Sequence, residues 1–180
     1  MFRTFFPVTT GESAVDGLGV FAGIALEPGQ AVFTFEGTRL DRAEFFAHRE
    51  GRKYSDVAYD AIQIDDEFHL VDKRETLHVN HSCDSNLWMS DPTTFSTRRA
   101  VAAGEELTID YALLGDVAAR LVPGDCRCGT SYCRSEIRGD DWNREELQSR
   151  YAGGFTPFLA RRIAAGAESG GARPVAPLTD

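Results

Sequence analysis

Residues 80–86 of this chain read Asn80-His81-Ser82-Cys83-Asp84-Ser85-Asn86. The cysteine in this stretch, Cys83, is far in sequence from the other three, Cys126, Cys128 and Cys133, which lie close together. Three thiolates spaced C-x-C-x4-C can bind one zinc ion, with zinc–sulfur bonds of about 2.3 Å, and a distant fourth cysteine completes a tetrahedral site. A closed site of four thiolates is structural rather than catalytic, and it would join the end of the chain to its middle.

Two other states of the four cysteines stay open at this point: two disulfides, or four buried thiols. The two thiols of a C-x-C pair are poorly placed to bond to each other. The first residues carry no extended apolar run behind a basic start, and no apolar run reaches roughly eighteen residues, the length of a membrane span. We therefore expect a cytoplasmic protein without a signal peptide or membrane span, in a compartment that disfavours disulfides.

The composition indicates one domain with an acidic surface. A chain of 180 residues with 42% hydrophobic content can bury one core and is short for two independent domains. The net charge of -9 argues against direct nucleic-acid binding, because neutralising phosphates requires clustered Lys and Arg. A basic partner such as a Lys-rich peptide suits this charge, although the acidity could equally serve solubility alone. No residue pattern indicates an oligomeric state.

Strand signals outnumber helix signals, which predicts a mainly β fold with minor α. Short runs rich in β-branched and aromatic residues predict strands at 20–26, 31–35, 61–64, 68–71, 93–101 and 106–110. The turn between the first two runs predicts a hairpin, and the Asp65-Asp66-Glu67 turn predicts a second one.

Three helices are predicted, one early and two near the end of the chain. Asp41 and Glu44 have the spacing of a capping box, so a helix should begin there and continue to about Glu50. The two later helices are one capped by Asn143 and Glu146 that ends near Tyr151, and one with helical spacing at 158–163. The tail, residues 165–180, is rich in Gly, Ala, Pro and Ser and should be disordered.

Three further motifs surround Asn80-His81-Ser82-Cys83 in sequence order. They are Gly17-Leu18-Gly19-Val20-Phe21-Ala22, then Gly104-Glu105-Glu106-Leu107-Thr108-Ile109-Asp110-Tyr111, then the cysteines from Cys126 to Cys133. Together the four resemble the SET-domain protein-lysine methyltransferases, especially the small bacterial members, from about Gly11 to Arg134. Four matches in order, with Cys83 in one and its three candidate zinc partners in another, are hard to obtain by accident.

The resemblance implies a fold and a division of the chain. The expected fold is a SET-domain β-clip of short twisted sheets, with a C-terminal pseudoknot, a post-SET zinc knuckle and C-terminal helices. The SET domain would cover residues 1–115, the post-SET zinc-binding segment 116–139, and a C-terminal helical extension 140–164.

The resemblance also implies an activity: transfer of a methyl group from S-adenosylmethionine to the lysine side-chain amine of a protein substrate. Tyr111 would be catalytic, by positioning the amine beside the methyl group, and whether it also acts as a base stays open. Tyr59 and Ile109 would line the channel for the lysine. The implied cofactor-binding residues are Gly17, Leu18, Gly19, Asn80, His81 and Tyr111. The implied ligands of a structural zinc ion are Cys83, Cys126, Cys128 and Cys133.

The chain departs from the family pattern at two positions near these residues. Many members have Arg-Phe-Ile before Asn-His-Ser-Cys, whereas this chain has Leu77-His78-Val79. Many members have Phe or Tyr where this chain has Ile109, so the number of methyl groups added is not predicted. Two aromatic residues after the cysteines, Trp142 and Phe155, could cover the cofactor, but ordinary helix packing explains them as well.

Two other classes of function remain as alternatives to the enzyme. One is a catalytically silent SET-like module that binds a peptide or S-adenosylmethionine without turnover. The other is a zinc-stabilised interaction protein with unrelated chemistry. The presence of Tyr111, Asn80 and His81 together favours the enzyme.

Overall fold

Short antiparallel strands dominate the fold. The computed structural model describes residues 2–49, 61–72, 79–116, 121–122 and 124–169. The strands in these ranges are β1 Phe2–Thr4, β2 Val8–Glu12, β3 Leu18–Ala22, β4 Ala31–Phe35, β5 Thr38–Asp41, β6 Ala61–Gln63, β7 Phe68–Val71, β8 Leu87–Met89, β9 Thr94–Thr97 and β10 Glu106–Leu107. The helices are α1 Arg42–Arg49, α2 Glu145–Arg150 and α3 Pro157–Ser169, with 3-10 turns at Tyr111–Leu113 and Asp141–Asn143.

The described strands form three small sheets, in agreement with the predicted mainly β class. Their strand orders are β1-β4-β9-β8, β10-β3-β2 and β5-β7-β6. The first two sheets share one hydrophobic core with the C-terminal helices, in which Phe33, Leu107 and Leu159 are fully buried. The third sheet packs with α1 around a smaller cluster of Leu40 and Phe45. The fold class predicted from the sequence is therefore confirmed.

Two local predictions are confirmed in detail. The backbone N–H of Asp41 donates to the Glu44 carboxylate at 2.9 Å, and the Glu44 N–H donates to the Asp41 carboxylate at 2.8 Å. This reciprocal pair is the predicted capping box, and α1 begins directly after Asp41. The predicted hairpin around 65–67 is also present, because β6 and β7 pair antiparallel.

The predicted hairpin between residues 20–26 and 31–35 is wrong. Strand β3 pairs with β2 and β10, whereas β4 pairs with β1 and β9. The connecting segment leaves the sheet of β3 at Gly23, whose N–H donates to the Pro7 carbonyl at 2.8 Å. Leu26 then exchanges two backbone hydrogen bonds with Val101, at 2.8 and 2.9 Å. These long-range contacts carry the chain to another sheet, which a turn signal cannot reveal.

Residues 108–110 lie between the two ends of the loop formed by residues 81–87. The Ile109 N–H donates to the Asn80 carbonyl at 3.0 Å, and the Leu87 N–H donates to the Thr108 carbonyl at 3.0 Å. Ile109 forms parallel bridges with both His81 and Leu87. This threaded crossing is the pseudoknot implied by the resemblance, and it brings two of the sequence motifs together.

The C-terminal helices differ from their predicted limits. Asn143 does not cap α2: Arg144 is the N-cap without a side-chain bond, and the Asn143 amide donates to the Asp140 carbonyl at 3.4 Å. Helix α3 continues to Ser169, past the predicted start of the tail at 165, and residues 170–180 lie outside the described residues. Among the described helices, none is long and apolar enough to cross a membrane.

Candidate active site and metal centre

The four cysteines converge at one point of the fold. The sulfur atoms of Cys83, Cys126, Cys128 and Cys133 all lie within 4.8 Å of one another, and none is in a disulfide. In a tetrahedral zinc site with bonds of about 2.3 Å, the sulfurs are separated by about 3.8 Å. The donor chemistry and the spacing therefore fit a zinc ion, and the prediction that Cys83 joins the three late cysteines is confirmed.

Cys83 is held as a hydrogen-bond acceptor. The backbone N–H of Tyr111 donates to Nδ1 of His81 at 3.2 Å, so Nδ1 is an acceptor and Nε2 is the ring nitrogen that can donate. Nε2 lies 3.3 Å from the Cys83 sulfur, and the backbone N–H of Arg134 donates to the same sulfur at 3.3 Å. A thiolate that is bound to a metal ion commonly accepts hydrogen bonds of this kind from neighbouring groups.

The thiols of the cluster differ in how readily they ionise. A hydrogen bond with Cys126 and burial raise the pKa of the Cys83 thiol. Burial opposes ionisation of Cys128 as well, but hydrogen bonds with Thr130 outweigh it and lower the pKa of Cys128 to about 6. A divalent cation overrides such differences, because coordination deprotonates a thiol outright.

A buried ion pair fixes the cysteine segment to the core. Arg134, directly after Cys133, donates to both carboxylate oxygens of Asp110 at 2.6 and 2.8 Å, and to Asp141 at 3.0 Å. Burial would raise the pKa of Asp110, but the Arg134 guanidinium outweighs it and holds that pKa below its usual range. This pair was not predicted, although Asp110 lies inside a quoted motif and Arg134 directly follows the last cysteine. Asp110 precedes Tyr111, so the pair links the cysteine segment to the candidate catalytic residue.

Replacing Arg134 by methionine is expected to lower the free energy of unfolding by about 3–5 kcal/mol, because it leaves two buried carboxylates without their partner. The difference from wild type should shrink as the pH falls below about 4, the ordinary range of an aspartate, since a depressed pKa stabilises only above that range. Urea unfolding at neutral and acid pH measures both effects. Arg138→Met is the control, because Arg138 is a half-exposed arginine of the same segment. Equal stability of the two variants at neutral pH would contradict the prediction.

Helix α2 supports the Cys83 loop from the other side. The hydroxyl of Tyr151 donates to the Cys83 carbonyl at 3.1 Å and accepts from the Ser85 N–H at 3.2 Å. Arg150 donates to the same carbonyl at 2.9 Å. Burial, with the Asp110 charge nearby, raises the pKa of Tyr151 to about 12. These contacts were not predicted, and only the burial of an aromatic at a helix end could have suggested them.

A polar cleft lies between the cysteine segment and the Asn80-His81 stretch. Its volume is about 160 Å³, and its walls come from residues 15–16, 80–81, 122 and 125–127. Charged side chains of both signs line it, with two valines. Polar groups that converge on a concave space are typical of a small-molecule site. The predicted cofactor residues Asn80 and His81 therefore lie on its wall.

The Asn80 side chain ties this stretch to the Gly17-Leu18-Gly19 segment. Its amide nitrogen lies 3.0 Å from the carbonyl oxygens of Asp16 and Leu18 and 2.8 Å from the Glu106 carboxylate. Gly19 permits this approach, because a Cβ atom there would lie 2.3 Å from the same carboxylate. The three quoted motifs before the late cysteines thus meet at Asn80.

A second, apolar cavity lies beside the first. It measures about 10 Å³ and is lined by Phe35, Ile62, Val79, Phe95, Ile109 and Tyr111 among others. The Tyr111 hydroxyl donates to the Val79 carbonyl at 3.0 Å. Consecutive residues thus face different cavities, since Val79 lines this one and Asn80 the cleft. One short segment separates the two spaces.

Some predicted positions lie in the hydrophobic core, are half exposed, or fall outside the described residues. Tyr59, predicted to line the substrate channel, is outside the described residues. Trp142 and Phe155 are buried in the hydrophobic core, as packing predicts. Leu18 is half exposed beside the cleft.

The sequence is similar to proteins of known activity. A family model of the SET domain matches residues 17–112. The histone-lysine N-methyltransferase Su(var)3-9 of Drosophila melanogaster is 31% identical over 150 residues, covering 67% of this chain and 23% of that protein. The Homo sapiens histone-lysine N-methyltransferase 2B is 29% identical over 141 residues, covering 68% and 5%. The Arabidopsis thaliana histone-lysine N-methyltransferase ATX2 is 29% identical over 153 residues, covering 77% and 13%. The chain therefore spans less than a quarter of each of these relatives.

Proposed function

The chain belongs to the SET-domain family, and on that premise we propose that it is a methyltransferase acting on the lysine side chain of a protein substrate. The observation that carries the proposal is the arrangement around Asn80: a polar cleft on one side, and on the other an apolar cavity lined by Tyr111. When bound, S-adenosylmethionine would supply a methyl group on a sulfonium. The cleft offers polar groups to the cofactor. The lining of the small cavity is apolar, as an aliphatic side chain requires, and its walls would move apart to admit one.

The residues of the apolar cavity would prepare the lysine amine. A free lysine with a pKa of about 10.4 is only about 0.04% neutral at pH 7, a handicap of roughly 4.6 kcal/mol. Apolar walls such as Ile62 and Ile109 disfavour the charged form and lower this handicap. Methyl transfer is an in-line displacement, so the direction of the amine lone pair matters as much as its protonation state.

The Tyr111 hydroxyl is suited to orient that amine. Its proton is committed to the Val79 carbonyl, so its oxygen presents lone pairs, which accept hydrogen bonds from N–H groups. An amine that donates a hydrogen bond to this oxygen would have its own lone pair directed away from Tyr111. Tyr111 is held in place by its backbone bond to His81 and by burial.

A zinc ion bound by Cys83, Cys126, Cys128 and Cys133 would have a structural role. All four protein positions would be filled by sulfur, which leaves no open coordination position for chemistry. Its effect would be to hold the segment that contains Cys126 against His81, and thereby to form one wall of the cleft.

The proposed substrate is a lysine-containing basic protein or peptide. The chain has a net charge of -9, which favours a basic partner by long-range attraction. The relatives above are named for their action on histone lysines. Histones and other lysine-rich proteins are therefore the acceptors to test first.

Binding of S-adenosylhomocysteine and transfer of a labelled methyl group test the proposal. A ligand at a hundred times its dissociation constant stabilises by about 2.7 kcal/mol, which corresponds to roughly 5–10 °C in the unfolding midpoint of a chain of this size. We expect this shift, together with label in a lysine-rich acceptor. A shift without any transfer to a panel of lysine-rich proteins would favour the silent binding module. Absence of both would leave the zinc-stabilised interaction protein.

A further inference from the structure

One arginine of helix α3 binds carboxylates from two distant segments of the chain. Nη2 of Arg162 donates to the Asp66 carboxylate, in the turn between β6 and β7, at 2.6 Å, and Nη1 pairs with the Asp116 carboxylate. The Asp66 side chain is 72% exposed, whereas that of Asp116 is 6% exposed. Arg162 lies after residues 17–112, the part of the chain that matches the SET-domain model. A helix beyond that match thus joins the β6–β7 hairpin to Asp116.

The same two segments carry part of the wall of the apolar cavity. The Gln63 N–H donates to the Leu114 carbonyl at 2.9 Å, and the Gln63 side-chain oxygen accepts from the Asp116 N–H at 2.9 Å. Ile62, which precedes Gln63, and Leu114 both line the cavity. Strand β6 and residues 114–116, the Leu114 segment, therefore form one continuous piece of the wall.

The sheet that carries Ile62 has a small core of its own. In the described residues, the β5-β7-β6 sheet packs around Leu40 and Phe45, whereas Ile62 packs in the main core. A unit with its own buried cluster can shift relative to the rest of the fold at low cost. The bonds of this sheet to the Leu114 segment therefore determine where Ile62 lies in the cavity wall.

The position of this wall matters for the chemistry. At about 10 Å³ the cavity is smaller than a lysine side chain, so its walls must part during substrate entry. A displacement of about 1 Å at a reacting group can cost roughly a hundredfold in rate. A bridge between β6–β7 and the Leu114 segment would keep this piece of the wall intact while the cavity opens.

We infer that Arg162 is a positioning residue for methyl transfer, which holds the β6–β7 hairpin to the Leu114 segment and thereby fixes the wall that aligns the lysine side chain. Among the described residues, Arg162 is not part of the cavity lining and acts through Ile62 and Leu114. Asp66 and Asp116 are its two partners in this role. The inference rests on the proposed function and adds a residue from outside the SET-domain match.

The rate of labelled-methyl transfer by the zinc-loaded full chain tests the inference. The acceptor is a mixture of purified histones, or the best acceptor of the lysine-rich panel if histones are not labelled. Asp66→Ala breaks the bridge at its exposed end, and an exposed ion pair biases a conformational equilibrium by up to about fivefold. We therefore expect kcat to fall by about three- to fivefold. Calorimetry counts the sites that bind S-adenosylhomocysteine, and kcat is expressed per site so that unfolded protein does not contribute.

Glu67→Ala is the matched control for Asp66→Ala. Glu67 is the neighbouring exposed residue of the same turn, and its substitution removes the same charge. The control therefore reports any effect of net charge on the attraction of a basic acceptor. It should keep the wild-type kcat.

Arg162→Lys breaks the bridge from its other end. Lysine keeps a positive charge beside the buried Asp116, but its single terminal nitrogen replaces a fork that reaches two carboxylates. We expect Arg162→Lys to lower kcat as much as Asp66→Ala does, and the double variant to be no slower than either, because both substitutions break one bond. S-adenosylhomocysteine should bind every variant within about twofold of wild type, since the polar cleft is a separate space.

The possible results separate this inference from the function on which it rests. An unchanged kcat in Asp66→Ala, an equal loss in Glu67→Ala, or additive losses in the double variant would overturn the role of Arg162 and leave the methyltransferase proposal standing. Weaker binding of S-adenosylhomocysteine by Asp66→Ala would also overturn it, because the effect would then lie in the cleft. Failure of the wild-type protein to transfer label to any protein of the lysine-rich panel would overturn both.

Discussion

Replacing Cys133 by serine is expected to lower the unfolding midpoint by more than about 10 °C and to abolish binding of S-adenosylhomocysteine, because folding and zinc binding are coupled in sites of this kind. The four sulfurs join the loop that carries Cys83 to the segment from Cys126 to Cys133. That segment supplies one wall of the polar cleft, at residues 125–127. Loss of one thiolate should therefore remove stability and the ligand site together.

Ser131→Ala is the matched control for the cysteine variant. Ser131 is exposed in the same loop and leaves all four sulfurs in place. Elemental analysis should find one zinc ion per chain in wild type and in the control, and far less in Cys133→Ser. A Cys133→Ser protein that keeps the wild-type midpoint and ligand affinity would contradict a structural role for the metal. Thermal unfolding with and without a chelator provides the same comparison on the unmodified chain.

The features that were predicted well depend on a short stretch of sequence or on a rare residue type. The capping box at Asp41 and Glu44 acts over a single turn, so its two hydrogen bonds follow from spacing alone. The meeting of Cys83 with Cys126 follows from the rarity of cysteine and from the preference of zinc for four ligands. The proximity of Asn80 and Ile109 followed from the family resemblance, through its threaded crossing.

The choice of strand partners could not be predicted from local patterns. A strand's alternation indicates which face is buried, but it does not say which neighbour supplies the backbone hydrogen bonds. The turn after Leu26 looked like a hairpin turn, and yet Leu26 pairs with Val101. Such pairings depend on the packing of the whole core. In this fold β3 pairs with β2 on one side and with β10 on the other.

The buried ion pair also could not be predicted from the sequence. Most arginines and aspartates lie at the surface, so nothing in the string marks Arg134 and Asp110 as a buried pair. The pair forms because the cysteine segment is folded back over the core, which brings Arg134 to the residue before Tyr111. The contrast with Arg127, which stays exposed on the same segment, appears only in three dimensions.

Replacing Tyr111 by phenylalanine is expected to reduce methyl transfer by at least about a hundredfold, the effect typical of losing one group that handles a proton or its donor in the transition state. Tyr111 was predicted to contact the cofactor, but it lines the apolar cavity rather than the polar cleft. Binding of S-adenosylhomocysteine should therefore change little, since the phenyl ring still fills the same place. The lost hydrogen bond to Val79 should lower stability by about 1 kcal/mol. Labelled-methyl incorporation and calorimetry on the same preparations measure both.

Tyr151→Phe separates a catalytic effect from the loss of any buried hydroxyl. Tyr151 is fully buried and donates to the Cys83 carbonyl, as Tyr111 donates to that of Val79. The control should therefore cost comparable stability and have a much smaller effect on turnover. Equal incorporation by wild type and Tyr111→Phe would remove Tyr111 from the proposed role.

The pH dependence of kcat/KM distinguishes positioning from base catalysis by Tyr111. The reactive amine must be neutral, and below the lysine pKa of about 10.4 its neutral fraction rises about tenfold for each pH unit. If the hydroxyl only orients the amine, wild type and Tyr111→Phe should give parallel profiles separated by a constant factor. If Tyr111 acts as the base, its phenolate accepts the proton, and the separation should change with pH because only the wild-type profile contains the ionisation of Tyr111. The proton of Tyr111 is committed to the Val79 carbonyl, which favours orientation, so we expect parallel profiles.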